Sequence, residues 1–164
     1  MTKYILILCA FCGAIINIAF TQVSVRVEPS NLRDSRPLPV QTGAAAIRDY
    51  LESWQSMRSA LEQNRVDMLD PAFVGTARDK LSDTILQQVR LGLSMRYQDR
   101  SHNIQIVFYS PEGLSIEMID NVTYDVHVID HKWSKTIQSV SARYVIVLTP
   151  AEVRWRVRVF QAVP

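Results

Sequence analysis

Cys9 and Cys12 form a C-x-x-C, a spacing that serves thiol exchange or metal ligation when it lies in a folded, electropositive setting. Both sit inside an apolar run from Tyr4 to Phe20, where a thiolate pair would be desolvated, so the pair is read as part of a leader. The residues before each cysteine, Leu6-Ile7-Leu8 and Cys9-Ala10-Phe11, do not form a lipid-attachment pattern. A second group, Asp125, His127, Asp130 and His131, carries metal-ligating types. Residues four apart on an extended strand lie about 13 Å apart, so His127 and His131 cannot share an ion on one strand. Asp125 and His127 share a face, where pairing with Arg143 or the last-strand arginines accounts for them. His102 stands in a polar junction and carries no signal.

The third group is Arg154, Arg156 and Arg158, alternating with Val153, Trp155, Val157 and Val159. Side chains of a strand change face at every residue, so this stretch predicts a half-buried strand with an oily side and a guanidinium side. The bland account is a solvated face whose charges oppose sheet-to-sheet aggregation. The sharper one notes that Arg143, Val145, Val147, Ile129 and Phe160 share the arginine parity, and a face mixing Arg with apolar groups suits a protein interface. Nucleic acid is not expected as a partner, because no aromatics are interleaved on that face.

The elements that would position these residues follow from periodicity. Thr42 or Gly43 opens a helix with Ile47, Tyr50, Leu51, Trp54, Met57 and Leu61 on its apolar face, ending near Asn64. Asp70-Pro71 supplies a cap and first-turn proline for a short helical turn through Val74. Thr76 with Asp79 resembles a capping box for a second helix striped by Leu81, Ile85, Val89, Leu93 and Tyr97. Then the period changes to two. Strands are expected at Ile104–Tyr109, Leu114–Ile119, Val122–Ile129, Val140–Leu148 and Val153–Phe160, with turns at Ser110-Pro111-Glu112-Gly113, Asp120-Asn121, Asp130–Lys135 and Thr149–Glu152. Helices first and strands after predict an α+β fold, with the N-terminal helices packed on a strongly bent, mainly antiparallel sheet.

Lys3 followed by the apolar run has the form of a secretory signal, with Ala19 and Thr21 placing a cut before Gln22. About 17 apolar residues also reach the lower limit for a bilayer span, so an uncleaved anchor stays open. The division is therefore 1–21 signal or anchor, 22–42 extended linker with Pro29, Pro37 and Pro39, and 43–164 a single domain. Val23, Val25 and Val27 leave room for a short edge strand in the linker. Without the leader no cysteine remains, and losing Lys3 takes the net charge from +2 to +1, which points to neither nucleic acid nor an acidic surface. Asn121-Val122-Thr123 matches a glycosylation sequon, which matters only in a eukaryotic secretory pathway.

The helix carrying Trp54, the turn Asp70-Pro71-Ala72-Phe73-Val74, the second helix and the long strands ending in Val153-Arg154-Trp155-Arg156-Val157 together resemble the nuclear transport factor two-like superfamily, over about Ala44 to Val163. The resemblance implies a sheet wrapped around the helices as a cone, in a superfamily that holds both ketosteroid isomerase or dehydratase enzymes and noncatalytic assembly domains, one of them a single-span scaffold of type IV secretion machines. Fold alone does not choose between them.

Strand parity gives the interior set Leu114, Ile116, Met118, Val122, Tyr124, Val126, Val128, Ala142, Tyr144, Ile146, Leu148, Val153, Trp155, Val157 and Val159. It contains no acid, base or nucleophile, so no catalytic residue is carried over from the family and no metal or cofactor is expected. Trp54, Tyr124, Tyr144 and Trp155 are the candidate cavity-lining residues, and Arg143, Val145, Val147, Arg154, Arg156, Arg158 and Phe160 the candidate interface. The reading is an exported, periplasmic or secreted, noncatalytic binding or assembly module with a protein partner or a second copy, touching a membrane only if the leader is kept. The competing reading is a small secreted enzyme or carrier of a hydrophobic ligand in the cone.

Overall fold

Apolar residues three and four apart place Tyr50, Trp54, Met57 and Leu61 on one buried face of helix α1, Val40–Gln63. The computed structural model describes residues 22–32, 36–130 and 133–163, with backbone alone for 133–137. The segment read as a leader or anchor, with Cys9 and Cys12, the bond expected to be cut, and His131 lie outside the described residues. α1 begins earlier than Thr42, because Pro39 holds the extended cap position and its carbonyl accepts the Gly43 N–H at 3.0 Å. It stops at Asn64, which takes the left-handed conformation (φ 55°).

A 3-10 turn, Val66–Leu69, precedes the position expected from Asp70-Pro71. The amides of Ala72 and Phe73 close back onto the Leu69 carbonyl, so residues 70–73 form the exit of that turn. Helix α2, Gly75–Leu91, has no side-chain cap; the Thr76 hydroxyl donates instead to the Arg158 carbonyl at 3.1 Å. The expected stripe overran this helix. Gly92 takes φ 66°, donates to the Gln88 and Val89 carbonyls and ends it, so Leu93 and Tyr97 belong to the next strand and Val89 is exposed.

Five strands make one open sheet in chain order: β1 (Ser24–Val27), β2 (Leu93–Tyr109), β3 (Ile116–Asp130), β4 (Trp133–Pro150) and β5 (Trp155–Val163). β1 runs parallel to β2, and all other pairs are antiparallel. β2 begins eleven residues before the Ile104 start expected from the sequence, and β3 runs unbroken through Asp120-Asn121. Register shifts between Asp99 and Ser101, Ile106 and Phe108, Val128 and Ile129, and Val147 and Leu148 bend the long strands, as bulges do. Two helices thus pack against a five-stranded mixed sheet that does not close, an α+β fold with the form of a cone.

The core lies between the helices and the inner sheet face. Ile116, Met118, Val122, Tyr124, Ile146, Leu148 and Val157 are buried there, and Val126, Ala142, Tyr144 and Trp155 pack half-buried against them. Leu114 and Val153 do not join them, being 61% and 90% exposed, because β3 starts only at Ile116 and β5 only at Trp155. Ser110 organises the intervening turn: its hydroxyl accepts the Leu114 and Ser115 amides.

Candidate functional site: a buried acid–histidine centre and an apolar groove

The expectation of an interior without acids or bases is overturned. Asp49, Asp99, His102 and Asp120 are all at least nine-tenths buried. Simple alternation puts residues 99 and 102 on opposite faces, but the register shift between Asp99 and Ser101 inserts one residue and turns both inward. Asp120 needs no such device. It shares the even parity of Met118, Val122 and Tyr124, and reading Asp120-Asn121 as a turn hid a signal that was in the sequence.

Asp120 is the hub. One of its oxygens accepts the Tyr50 hydroxyl at 2.8 Å and lies 2.6 Å from His102 Nδ1, and the other accepts the Asn103 amide at 3.1 Å. Asp99 accepts Trp54 Nε1 at 2.8 Å and an Arg58 guanidinium nitrogen at 2.6 Å. Burial pulls the His102 pKa down, but hydrogen bonds and charges from Asp120 and then Asp99 outweigh it and raise the value to about 9. For Asp99, burial opposes ionisation, and the hydrogen bonds of His102 and Trp54 with the Arg58 charge hold the carboxyl below its usual range. Burial, reinforced by Asp120, pushes the Tyr50 hydroxyl well above its ordinary value. The centre thus sets the carboxyl groups of Asp99 and Asp120 against the His102 ring, whose protonated form they favour, and the Arg58 guanidinium.

Around it the aromatic rings converge. The Trp54 ring meets His102, Tyr124, Tyr144 and Phe160 edge-on at centroid distances of 5.0–5.8 Å, and the Tyr124 and Tyr144 hydroxyls are 2.9 Å apart. Burial raises the Tyr97 hydroxyl to about 12 and lifts Tyr144 further. Three of the four cavity candidates, Trp54, Tyr124 and Tyr144, are thus brought together, while Trp155 sits apart, its amide donating to Asp49 at 2.8 Å.

The guanidinium stripe does not face uniformly outward. Arg154 reaches α1 and pairs with Glu52 at 2.5 Å, and Arg156 donates to the carbonyls of Asp70 and Phe73. β5 runs beside residues 72–74, exchanging bonds between Val157 and both Ala72 and Val74, so an arginine on this strand needs only to curl over the edge to bind that turn. Arg158 is exposed. Phe160 is not on the arginine side: Val147 pairs with Val159 and Leu148 with Val157, leaving Arg158 as the extra residue and restoring Phe160 to the inner face, stacked on Tyr144 at 4.5 Å. Arg143 is exposed opposite Asn121, and Val145 and Val147 are half-buried on the outer face. Asp125 pairs with Arg100 at 2.6 Å and with Ser139 at 2.7 Å, not with Arg143 or β5, and its carboxyl is lowered first by Arg100.

A second feature lies at the other sheet edge. Val27, Leu38, Pro39, Val40, Gly43, Ala44, Ile47, Leu51 and Ile106 line an open groove of about 650 Å³, with Glu28, Ser30 and Arg48 as its polar members. It exists because residues 28–31 follow the β2 edge, the Glu28 and Asn31 amides bonding to the Ile104 and Ile106 carbonyls, which brings Leu32 and Leu38 back onto the core. Reading this stretch as an extended linker gave no reason to place its apolar residues beside α1.

Chemically the two features differ. Asp99 and Asp120 each accept donors from the chain on both oxygens, which fixes the two carboxyl groups in place. The groove offers apolar walls with few polar groups, the composition of a binding site.

No family model and no curated protein sequence matches the chain. Its structure is similar to the intermembrane space region of the chloroplast protein ARC6, with a TM-score of 0.63 at 11% identity, covering 78% of this chain and 98% of that one. It is also similar to a putative scytalone dehydratase from Novosphingobium aromaticivorans, with a TM-score of 0.53 at 13% identity, covering 77% and 89%. At such identities the likeness carries the fold and nothing further. What the helix order, the bent open sheet and these two neighbours establish together is a nuclear transport factor two-like fold.

Proposed function

We propose that the chain is an exported, noncatalytic binding or assembly module. The observation that carries this reading is the contrast between the cone and the edge: the buried acids and His102 are hydrogen-bonded to groups of the chain itself, while the apolar groove and the β1 edge are open to the surface. A chain of this fold from an organelle envelope, the ARC6 region, supports the placement by analogy. The signal-like leader supports export and keeps a membrane contact in reach if it is retained. A protein partner or a second copy is the expected ligand, and the exposed Arg143 and Arg158 with half-buried Val145 and Val147 remain interface candidates on the outer face.

The test is chemical cross-linking in the producing cells followed by fractionation. A discrete larger species in the exported fraction is expected. A chain held wholly in the cytoplasm, or monomeric at every cross-linker concentration, ends this reading.

One observation favours a second reading, an enzyme or hydrophobic-ligand carrier: a buried His102–Asp120 pair beside Tyr124 and Tyr144 inside a fold shared with a putative dehydratase. Native mass spectrometry of the chain purified from its own cells separates the two, since a carrier arrives with a small apolar molecule bound.

A further inference from the structure

β1 is held by β2 on one side only. The Glu28 amide bonds to the Ile104 carbonyl, and in a parallel ladder bonding alternates, so even residues of β1 face β2 and the amides and carbonyls of Val23, Val25 and Val27 point away from it. No described strand flanks β1 on that side, and the three valines are 37%, 45% and 51% exposed. A row of unpaired main-chain groups flanked by β-branched residues is a template for another strand.

We infer that this edge pairs with a second copy of the chain, antiparallel about a twofold axis at Val25. The spacing is self-complementary. With Val25 opposite its own copy, Val23 faces Val27 of the second copy, and each of these facing pairs can exchange both of its bonds. Centring on Val27 instead would set Val25 against Pro29, which has no amide to give. The valines share one face, where Val27 already walls the groove, so Val23 of the second copy extends the apolar lining there.

Charge fits the same register. Arg26 is neutralised by its own Glu28 at 2.9 Å and faces Ser24 of the second copy, while Glu28 faces a Gln22 amide, so no like charges oppose each other. The chain ends agree as well. The two Gln22 residues fall about 20 Å apart at equal height along the axis, from the rise per residue of a strand, so two leaders can enter one membrane without collision. A closed, isologous contact of this kind also consumes the free edge and stops further growth. The inference deepens the assembly reading and rests on it.

Single cysteines in the full chain, with Cys9→Ser and Cys12→Ser as background, test the geometry. Val25→Cys should give a disulfide-linked dimer on mild oxidation, since facing residues lie within disulfide reach. Val23→Cys alone should not, because it lies about 13 Å along the strand from its own copy. In parallel, Val25→Pro removes only an outward amide and spares the β2 ladder. It should weaken dimerisation at least about tenfold in sedimentation while the melting temperature at a concentration where both chains are monomeric stays put. Equal cross-linking at positions 23 and 25, none at 25, or a dimer indifferent to Val25→Pro overturns the inference. A larger assembly that survives Val25→Pro would do so while leaving the module reading intact, and a chain monomeric under all conditions would remove both.

Discussion

His102 is the residue on which the interior turns, because an imidazole enclosed by Asp99 and Asp120 is more strongly protonated in the folded chain than in the unfolded one. A pKa raised from 6.5 to about 9 contributes stability that is fully present below about pH 6.5 and lost as pH climbs through about 9. Thermal melting across pH 6 to 10 should therefore show a decline centred between pH 7 and 9 that His102→Gln abolishes, at the cost of a lower melting temperature at pH 6. A wild-type curve that is flat through this window would show that the imidazole is neutral in the fold. The sequence displayed half of this centre. Asp120 lay on the inward parity and Tyr50 and Trp54 on the inward helix face, but His102 and Asp99 are three apart and became neighbours only through a bulge that no local rule places.

At the scale of elements, one extra residue reverses a face. The shift between Val147 and Leu148 leaves Arg158 outside the alternation and sends Phe160 inward against Tyr144, Trp54 and Phe73. Phe160→Ala should accordingly cost about 3 kcal/mol in denaturant unfolding, near the lower end for large aromatic truncations because the ring is only half-buried. On an outer face the same change would stay within about 0.5 kcal/mol. Helix boundaries follow a similar lesson. Asn64 and Gly92 both carry positive φ and both end their helices, and Gly92 was legible as a stop had the apolar stripe not continued by coincidence into Leu93 and Tyr97. Arg154 and Arg156 turned from a free stripe into ties between β5, α1 and the 70–73 turn, which depend on what lies beyond the sheet edge and have no signature in alternation.

For the whole molecule, stability should grade across the sheet. β3 and β4 are paired on both sides, whereas β1 adds four exposed residues to one edge. Native-state hydrogen exchange at a concentration where the chain is monomeric should find the Arg26 and Glu28 amides exchanging at least about 100-fold faster than Met118 and Ile146. Comparable protection would make β1 part of the cooperative core. The sequence by itself determined the class of fold, the two helices with their buried faces, and the inward row on β3 and β4. Those are period-two and period-3.6 patterns, written by which residues avoid water. Tertiary structure alone decided the sites. Bulges set which acids and arginines share a side, and the course of residues 28–31 along β2, with Leu38 packed beside α1, created the groove, since these depend on where distant backbone groups find partners and not on the local order of residues.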